Sequence, residues 1–217
     1  MRLDVAIIGS GTGAMAYPSE TRFMEDFTKL STFIASEEPF KTYEKVVWFH
    51  PVWTLRDLGV KRSTTMTRLI TVNQTTAKLA CEDVAIPVER GLVLANTGTY
   101  GGSGGIPFGV SYNGGKMLRT ALHEFGHTLA NLHDEYIRYS GAGVVADRLT
   151  RQLWMGSVAP THLGGVWVQG AYYSNWWRQK AGPTPSASIM RTLDSKYFGP
   201  ISMQLLIEAI QYWDSRP

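Results

Sequence analysis

The chain has 217 residues, 44% hydrophobic and 18% charged, which is enough apolar material for a packed core and excludes a disordered or collagen-like polymer. Its 21 Lys and Arg against 18 Asp and Glu leave a net charge of +3, and Lys61-Arg62 is the only adjacent basic pair, so the clustered patch of a nucleic-acid binder is missing. A single cysteine, Cys81, excludes a disulfide scaffold, and no apolar run approaches a signal-peptide core or the roughly 20 residues of a membrane span. The expected partner is neither nucleic acid nor membrane, and the sequence sets no oligomeric state.

In chain order, Leu3 to Ile8 predicts a buried strand that ends in the turn Gly9-Ser10-Gly11-Thr12-Gly13. Glu20 to Ile34 follows with Phe23, Met24, Phe27, Leu30, Phe33 and Ile34 on one face, the spacing of an amphipathic helix. Pro39 closes that unit. Val46 to His50 reads as a second strand, and strand, helix, strand implies an α/β layer. Thr65 to Leu79 fits helix or strand equally. Gly91 to Asn96 is a further buried strand; it runs into Thr97 to Gly105, which holds five glycines, and then into the short alternating segment Phe108 to Tyr112. Lys116 to Asn131 predicts a helix. Beyond Tyr136 the chain turns Gly-, Pro- and Trp-rich until Ser202 to Trp213 predicts a C-terminal amphipathic helix.

The chemistry lies in His123-Glu124-Phe125-Gly126-His127. Residues i and i+4 of a helix share one face a turn apart, so both imidazoles can hold one Zn²⁺ while Glu124 stands beside the open coordination position. The flanking Leu118, Leu122, Phe125 and Leu129 make a buried helix, on which two aligned histidines are costly unless they have a partner. A catalytic zinc takes three protein ligands, and Asn131-Leu132-His133-Asp134-Glu135-Tyr136 follows the helix directly. The metzincin spacing, ten residues from the first histidine, selects His133, but it places Ala130 where a left-handed glycine belongs. Asn131 tolerates that conformation better, which lengthens the turn by one residue and favours Asp134 over His133. The losing residue, and Glu135, become supports for the ligands. Downstream, Met190 in Ser188-Ile189-Met190-Arg191 is placed to form an apolar floor beneath a metal; packing in the core explains it as well.

Other features have plainer readings. Gly9-Ser-Gly11-Thr-Gly13-Ala14 fits a dinucleotide fingerprint, but Pro18 interrupts the helix that should follow and no acidic ribose ligand lies about 20 residues on. The glycine loop at 100–105 lacks the Lys-Ser/Thr of a phosphate loop. It fits a place where two backbones approach closely, with Gly109, Val110 and Ser111 of the next segment as an edge for a substrate strand. Trp154, Trp167, Trp176, Trp177, Tyr172 and Tyr173 read as packing or cleft wall. His50 and His162 have no partner at ligand spacing, and Cys81 reads as a small buried hydrophobe.

Together these segments resemble the IgA-specific metallopeptidase family of zinc endopeptidases. The opening Ile-Ile-Gly-Ser-Gly-Thr, Glu38-Pro39-Phe40-Lys41-Thr42-Tyr43, Leu94-Ala-Asn96 with Tyr100-Gly-Gly-Ser-Gly-Gly105, His123 to His127 with Asp134-Glu135-Tyr136, and Ile189-Met190-Arg191-Thr192 follow the family's order. Ser10 stands where the family has an acidic residue, and the cysteines often seen after the Met segment are absent around Gly199-Pro200-Ile201-Ser202. The resemblance implies one metzincin-like catalytic domain of α/β (α+β) class. It would have a twisted mixed sheet, a central metal helix, an N-terminal subdomain to about residue 131 and an irregular C-terminal subdomain over about 132–217. It implies Zn²⁺ on His123, His127 and Asp134, with Glu124 as general base, and a secreted setting. Tyr173 or Tyr197 would assist at the oxyanion. The substrate would be a protein or peptide; immunoglobulin cleavage is not implied. Two other classes compete: a binding module with a structural metal, and, more distantly, a nucleotide-dependent oxidoreductase.

Overall fold

The computed structural model describes residues 2–139, 141–180 and 188–215. Among them the structure is mixed α/β, with four α-helices and three sheets. The chain divides into two compact units, residues 1–129 with 209–217, and residues 130–208.

In the first unit, β1 (Leu3–Ser10) leads to α1 (Glu20–Ser36), then β2 (Val47–Thr54) and the short pair β3 (Lys61–Arg62) and β4 (Ile70–Thr71). Next come α2 (Gln74–Asp83), β5 (Arg90–Ala95), β6 (Gly102–Ser103), β7 (Phe108–Tyr112) and α3 (Met117–Ala130). The ambiguous stretch 65–79 resolves into β4 and the start of α2. Asn73 ends the extended segment there by accepting a hydrogen bond from the Thr76 amide at 3.1 Å, an N-cap that the apolar pattern does not reveal.

The five-stranded sheet runs β2-β1-β5-β7-β6, and only β6 is antiparallel to its neighbour. All eight residues of β1 are buried, as a central parallel strand covered on both faces requires. One face packs Ile8, Val93, Phe108 and Val110 against Ala77, Ala80 and Cys81 of α2. The opposite face takes the other two helices. A side chain at Gly9 would collide with the Phe23 ring of α1, and one at Gly109 would collide with Thr128 of α3. Phe125 of α3 lies 5.4 Å from Phe40 and 6.3 Å from Phe49 of β2. α1 starts on a Ser19 cap and buries Phe23, Leu30 and Ile34, three of the six apolar positions that the periodicity marks. β2 extends four residues beyond the expected His50 and includes Pro51, which a sheet margin tolerates because the missing amide would face outward.

The second unit contains β8 (Ile137–Tyr139), β9 (Arg148–Thr150), β10 (Leu153–Met155), a 3-10 turn at Thr161–Leu163 and β11 (Trp167–Gln179). The last helix, α4 (Pro200–Asp214), begins in this unit, with proline in the first turn, where no intrahelical partner is lost. Its sheet runs β8-β11-β10-β9 over a small core of Leu153, Met155, Ala171 and Trp176. The tryptophans tie loops down. Trp154, Trp167, Trp176 and Trp177 donate their indole N–H groups to the carbonyls of Val158, Gly164, Val144 and Gly156 at 2.8–3.2 Å.

Beneath that sheet Glu135 is fully buried. Burial raises its carboxyl above the ordinary range, opposed by hydrogen bonds from Ser188 and Ser202 and by the guanidinium groups of Arg178 and Arg191. Arg178 is 2% exposed, and burial lowers its guanidinium in turn. Glu135 and Arg178 are opposite buried charges that offset one another's loss of hydration, so removing one leaves the other less compensated. We expect Glu135→Gln to destabilise the protein by about 3–5 kcal/mol in urea unfolding, and Arg178→Met to cost much less in that background than in the wild type.

Candidate metal centre

α3 carries both histidines, and the structure brings them together as their spacing requires. His123 Nε2 and His127 Nε2 are 3.1 Å apart, with the rings at 84°. One ligand atom each from His123, Glu124 and His127 lies within 4.8 Å of the others, and the first two residues are buried. Two imidazole nitrogens each about 2.0–2.1 Å from one tetrahedral zinc stand about 3.3–3.4 Å apart, so the observed pair is within a few tenths of an ångström of that geometry. Two imidazole nitrogens with an adjacent carboxylate form a set that could hold a metal ion, imidazole suiting Zn, Cu, Fe and Ni alike. Thr128 on the next turn donates its hydroxyl to the Glu124 carbonyl at 2.9 Å.

The glycine loop explains how this helix fits. A Cβ on Gly102 would sit 2.6 Å from Glu124 Oε1, and one on Gly104 would sit 2.1 Å from His127 Cβ. The loop thus runs against the two chemically important turns of α3, where only hydrogen atoms fit. The close backbone approach expected of this loop is present, but the margin of the sheet is not the expected segment 109–111. Gly109, Val110 and Ser111 belong to β7, which lies between β5 and β6 with all five residues buried, so its ladder is used on both sides. The outer strand is β6. Its own outer side is partly occupied, because Gly102 N–H donates to the Arg68 carbonyl at 3.0 Å and Ser103 Oγ donates to the Ile70 carbonyl. A two-residue Gly-Ser strand carries no propensity signal to reveal it.

After α3, Asn131 adopts φ +52, the left-handed conformation that the turn argument assigns to it, and Ala130 remains helical. His133 and Asp134 follow in the second unit. Gln152 brackets His133 through the backbone, accepting from its N–H at 3.0 Å and donating to its carbonyl. Asp134 is buried, with Arg138 3.8 Å from its Oδ2. Met190 is fully buried in a turn closed by the Arg191 and Thr192 amides on the Ser188 carbonyl, each at 3.0 Å. The Glu135 amide donates to the Met190 carbonyl at 2.8 Å, and Arg191 donates to the Glu135 carbonyl at 3.0 Å. Backbone bonds therefore join the segment after Asp134 to the Met190 turn, a link that no sequence motif announces. Tyr197 pairs with Ser188 beside that turn and is 47% exposed; Tyr173 lies in β11, stacked on Tyr139.

The remaining candidates are structural. His50 Nε2 is 2.6 Å from Asp4 Oδ1 across adjacent strands, and His162 packs edge-on to Trp154. The first glycine turn is filled by protein: Gly11 lies against Trp53, and Gly13, at φ +96, has the Asp57 carboxylate where a Cβ would point. A carboxylate in that position repels a phosphate, which argues against the dinucleotide reading. Cys81 is buried, and burial, reinforced by Glu82, pushes its thiol up to about 12.

In comparisons with known proteins, no family model matches the chain and no curated sequence matches it.

The contact between Gly104 and His127 yields a direct test. Gly104→Ala should weaken zinc binding about tenfold or more, the usual scale for disturbing a group that orients a metal ligand. Gly98→Ala, which meets nothing within 4 Å, should leave it unchanged. Competition with a chromophoric chelator measures both.

Proposed function

We propose that this chain is a zinc-dependent endopeptidase of metzincin-like type, related to the IgA-specific metallopeptidase family that its motifs resemble. The observation that carries the reading is the 3.1 Å separation of His123 Nε2 and His127 Nε2 on a buried helix, with Glu124 in the same cluster. His123 and His127 would hold the metal; the family resemblance gives the third place to Asp134, or the shorter register to His133, while the metal-capable group found among the described residues contains His123, Glu124 and His127. Zinc bound there supplies Lewis acidity toward a peptide carbonyl and lowers the pKa of its water toward neutrality.

The chain's own part is positioning and proton transfer. The Glu124 carboxylate takes a proton from the attacking water and delivers it to the nitrogen of the departing amine, so one group serves as base and then acid. The absence of a side chain at Gly102 leaves Glu124 Oε1 the room to do so. Met190, buried in its closed turn, supplies an apolar floor. Tyr173 or Tyr197 would assist at the oxyanion. A structural zinc takes four protein ligands. In the hydrolytic role Glu124 stays off the metal and handles protons, whereas in a binding module it would serve as a further ligand.

Glu124→Gln should retain one zinc per chain while hydrolysis of an unfolded protein falls about 10²–10⁴-fold, the scale of a lost general base. Metal analysis and a chelator-controlled digest read the two separately. Unchanged proteolysis in that variant, or a wild-type protein that takes up no zinc, would overturn the assignment.

A further inference from the structure

β8 begins three residues after Asp134 and forms one margin of the second unit's sheet, with Ile137, Arg138 and Tyr139 all exposed. Tyr172 N–H donates to the Tyr136 carbonyl at 2.9 Å, and Ile137 stands opposite Tyr172 in a parallel pair. In a parallel ladder the residue directly opposite is flanked by those that make the bonds. Ile137 therefore turns its own N–H and C=O away from β11. Among the described residues, no strand pairs with that side of β8.

The same margin is backed by rings that a regular strand would not gather. Consecutive strand residues point to opposite faces, yet the Tyr172 and Tyr173 rings are 5.4 Å apart. The cause is local: β8 advances two residues where β11 advances one, and Tyr172 takes φ +58, an outlier conformation for a bulky side chain. As a result Tyr173 stacks on Tyr139 at 4.9 Å and 24°, while Tyr172 meets Tyr139 edge-on at 5.4 Å. Both rings also pack on Trp176 of the small core, at 5.7 and 4.8 Å, and each remains partly exposed. Tyr139 is 44% exposed. The Arg138 guanidinium, on a side chain 43% exposed, lies 5.9 Å from the Tyr139 ring and 6.0 Å from that of Tyr172; one of its nitrogens is 3.8 Å from Asp134 Oδ2, which leaves the fork's other donors for a ligand.

We propose that the outer edge of β8 binds substrate as an added strand and selects an extended peptide that carries an aromatic residue two positions from an acidic one. Main-chain bonds to Ile137 hold the strand, the aromatic side chain packs on Tyr139, and the carboxylate pairs with Arg138. Alternate residues of an added strand share a face, which sets the two-residue spacing. The choice of a peptide as ligand rests on the peptidase reading.

The test uses the full chain with Glu124→Gln, so that peptides are bound and not cut. The probes are fluorescein-labelled Ser/Thr decapeptides with a central Glu-Val-Phe or Ala-Val-Ala, read by anisotropy with zinc present. We expect the Glu-Val-Phe peptide to bind at least tenfold tighter. Tyr139→Ala and Arg138→Gln should each remove most of that preference, and N-methylation of the peptide's central valine should abolish binding without altering the protein. Equal binding of the two peptides, no binding of either, or indifference to N-methylation would overturn the docking proposal; the zinc and digest measurements on the peptidase stand apart from those results. Conversely, the expected binding pattern alongside unimpaired proteolysis by Glu124→Gln would uphold the β8 edge and remove the catalytic assignment.

Discussion

α3 lies so close to the sheet and its glycine loop that side chains are excluded at the points of contact. Gly109 accommodates Thr128, Gly102 accommodates the Glu124 carboxylate, and Gly104 accommodates the first carbons of His127. Because the packed interior cannot yield by much, these three glycines fix the height and rotation of the helix. They thereby fix where two imidazoles and a carboxylate point. The metal-capable cluster is thus a property of the sheet–helix packing as much as of the five residues that contain it.

Much of this was legible beforehand, for identifiable reasons. β1 and β5 read as buried apolar runs because a central parallel strand is covered twice, and α1 shows a 3.6-residue period because it buries one face. Asn131 could be assigned a left-handed turn because few non-glycine residues tolerate one. The margin of the sheet could not be read, because Gly102-Ser103 has neither length nor propensity and owes its strand conformation to β7. Nor could the second unit. Its elements are held by indole-to-carbonyl bonds and by Glu135 among arginines, contacts between residues far apart in sequence that leave no periodic trace.

The two units solve the problem of burial differently. The first covers a mostly parallel sheet on both faces with helices. The second has a core of only a few side chains, and carries a charged cluster and left-handed residues at Asp147, Arg151 and Tyr172. A small core leaves specificity to directed interactions, in which every donor has a particular acceptor. The turn that buries Met190 belongs to this network: its carbonyl is held by the amide that follows Asp134, so the geometry on either side of that bond is mutually dependent.

Cys81 offers a last consequence. It is the chain's one thiol, sealed under α2, and its sulfur stays protonated across the physiological range. Oxidants, alkylating agents and glutathione all act on an accessible thiolate. In the folded chain this thiol is therefore a poor target for such reagents.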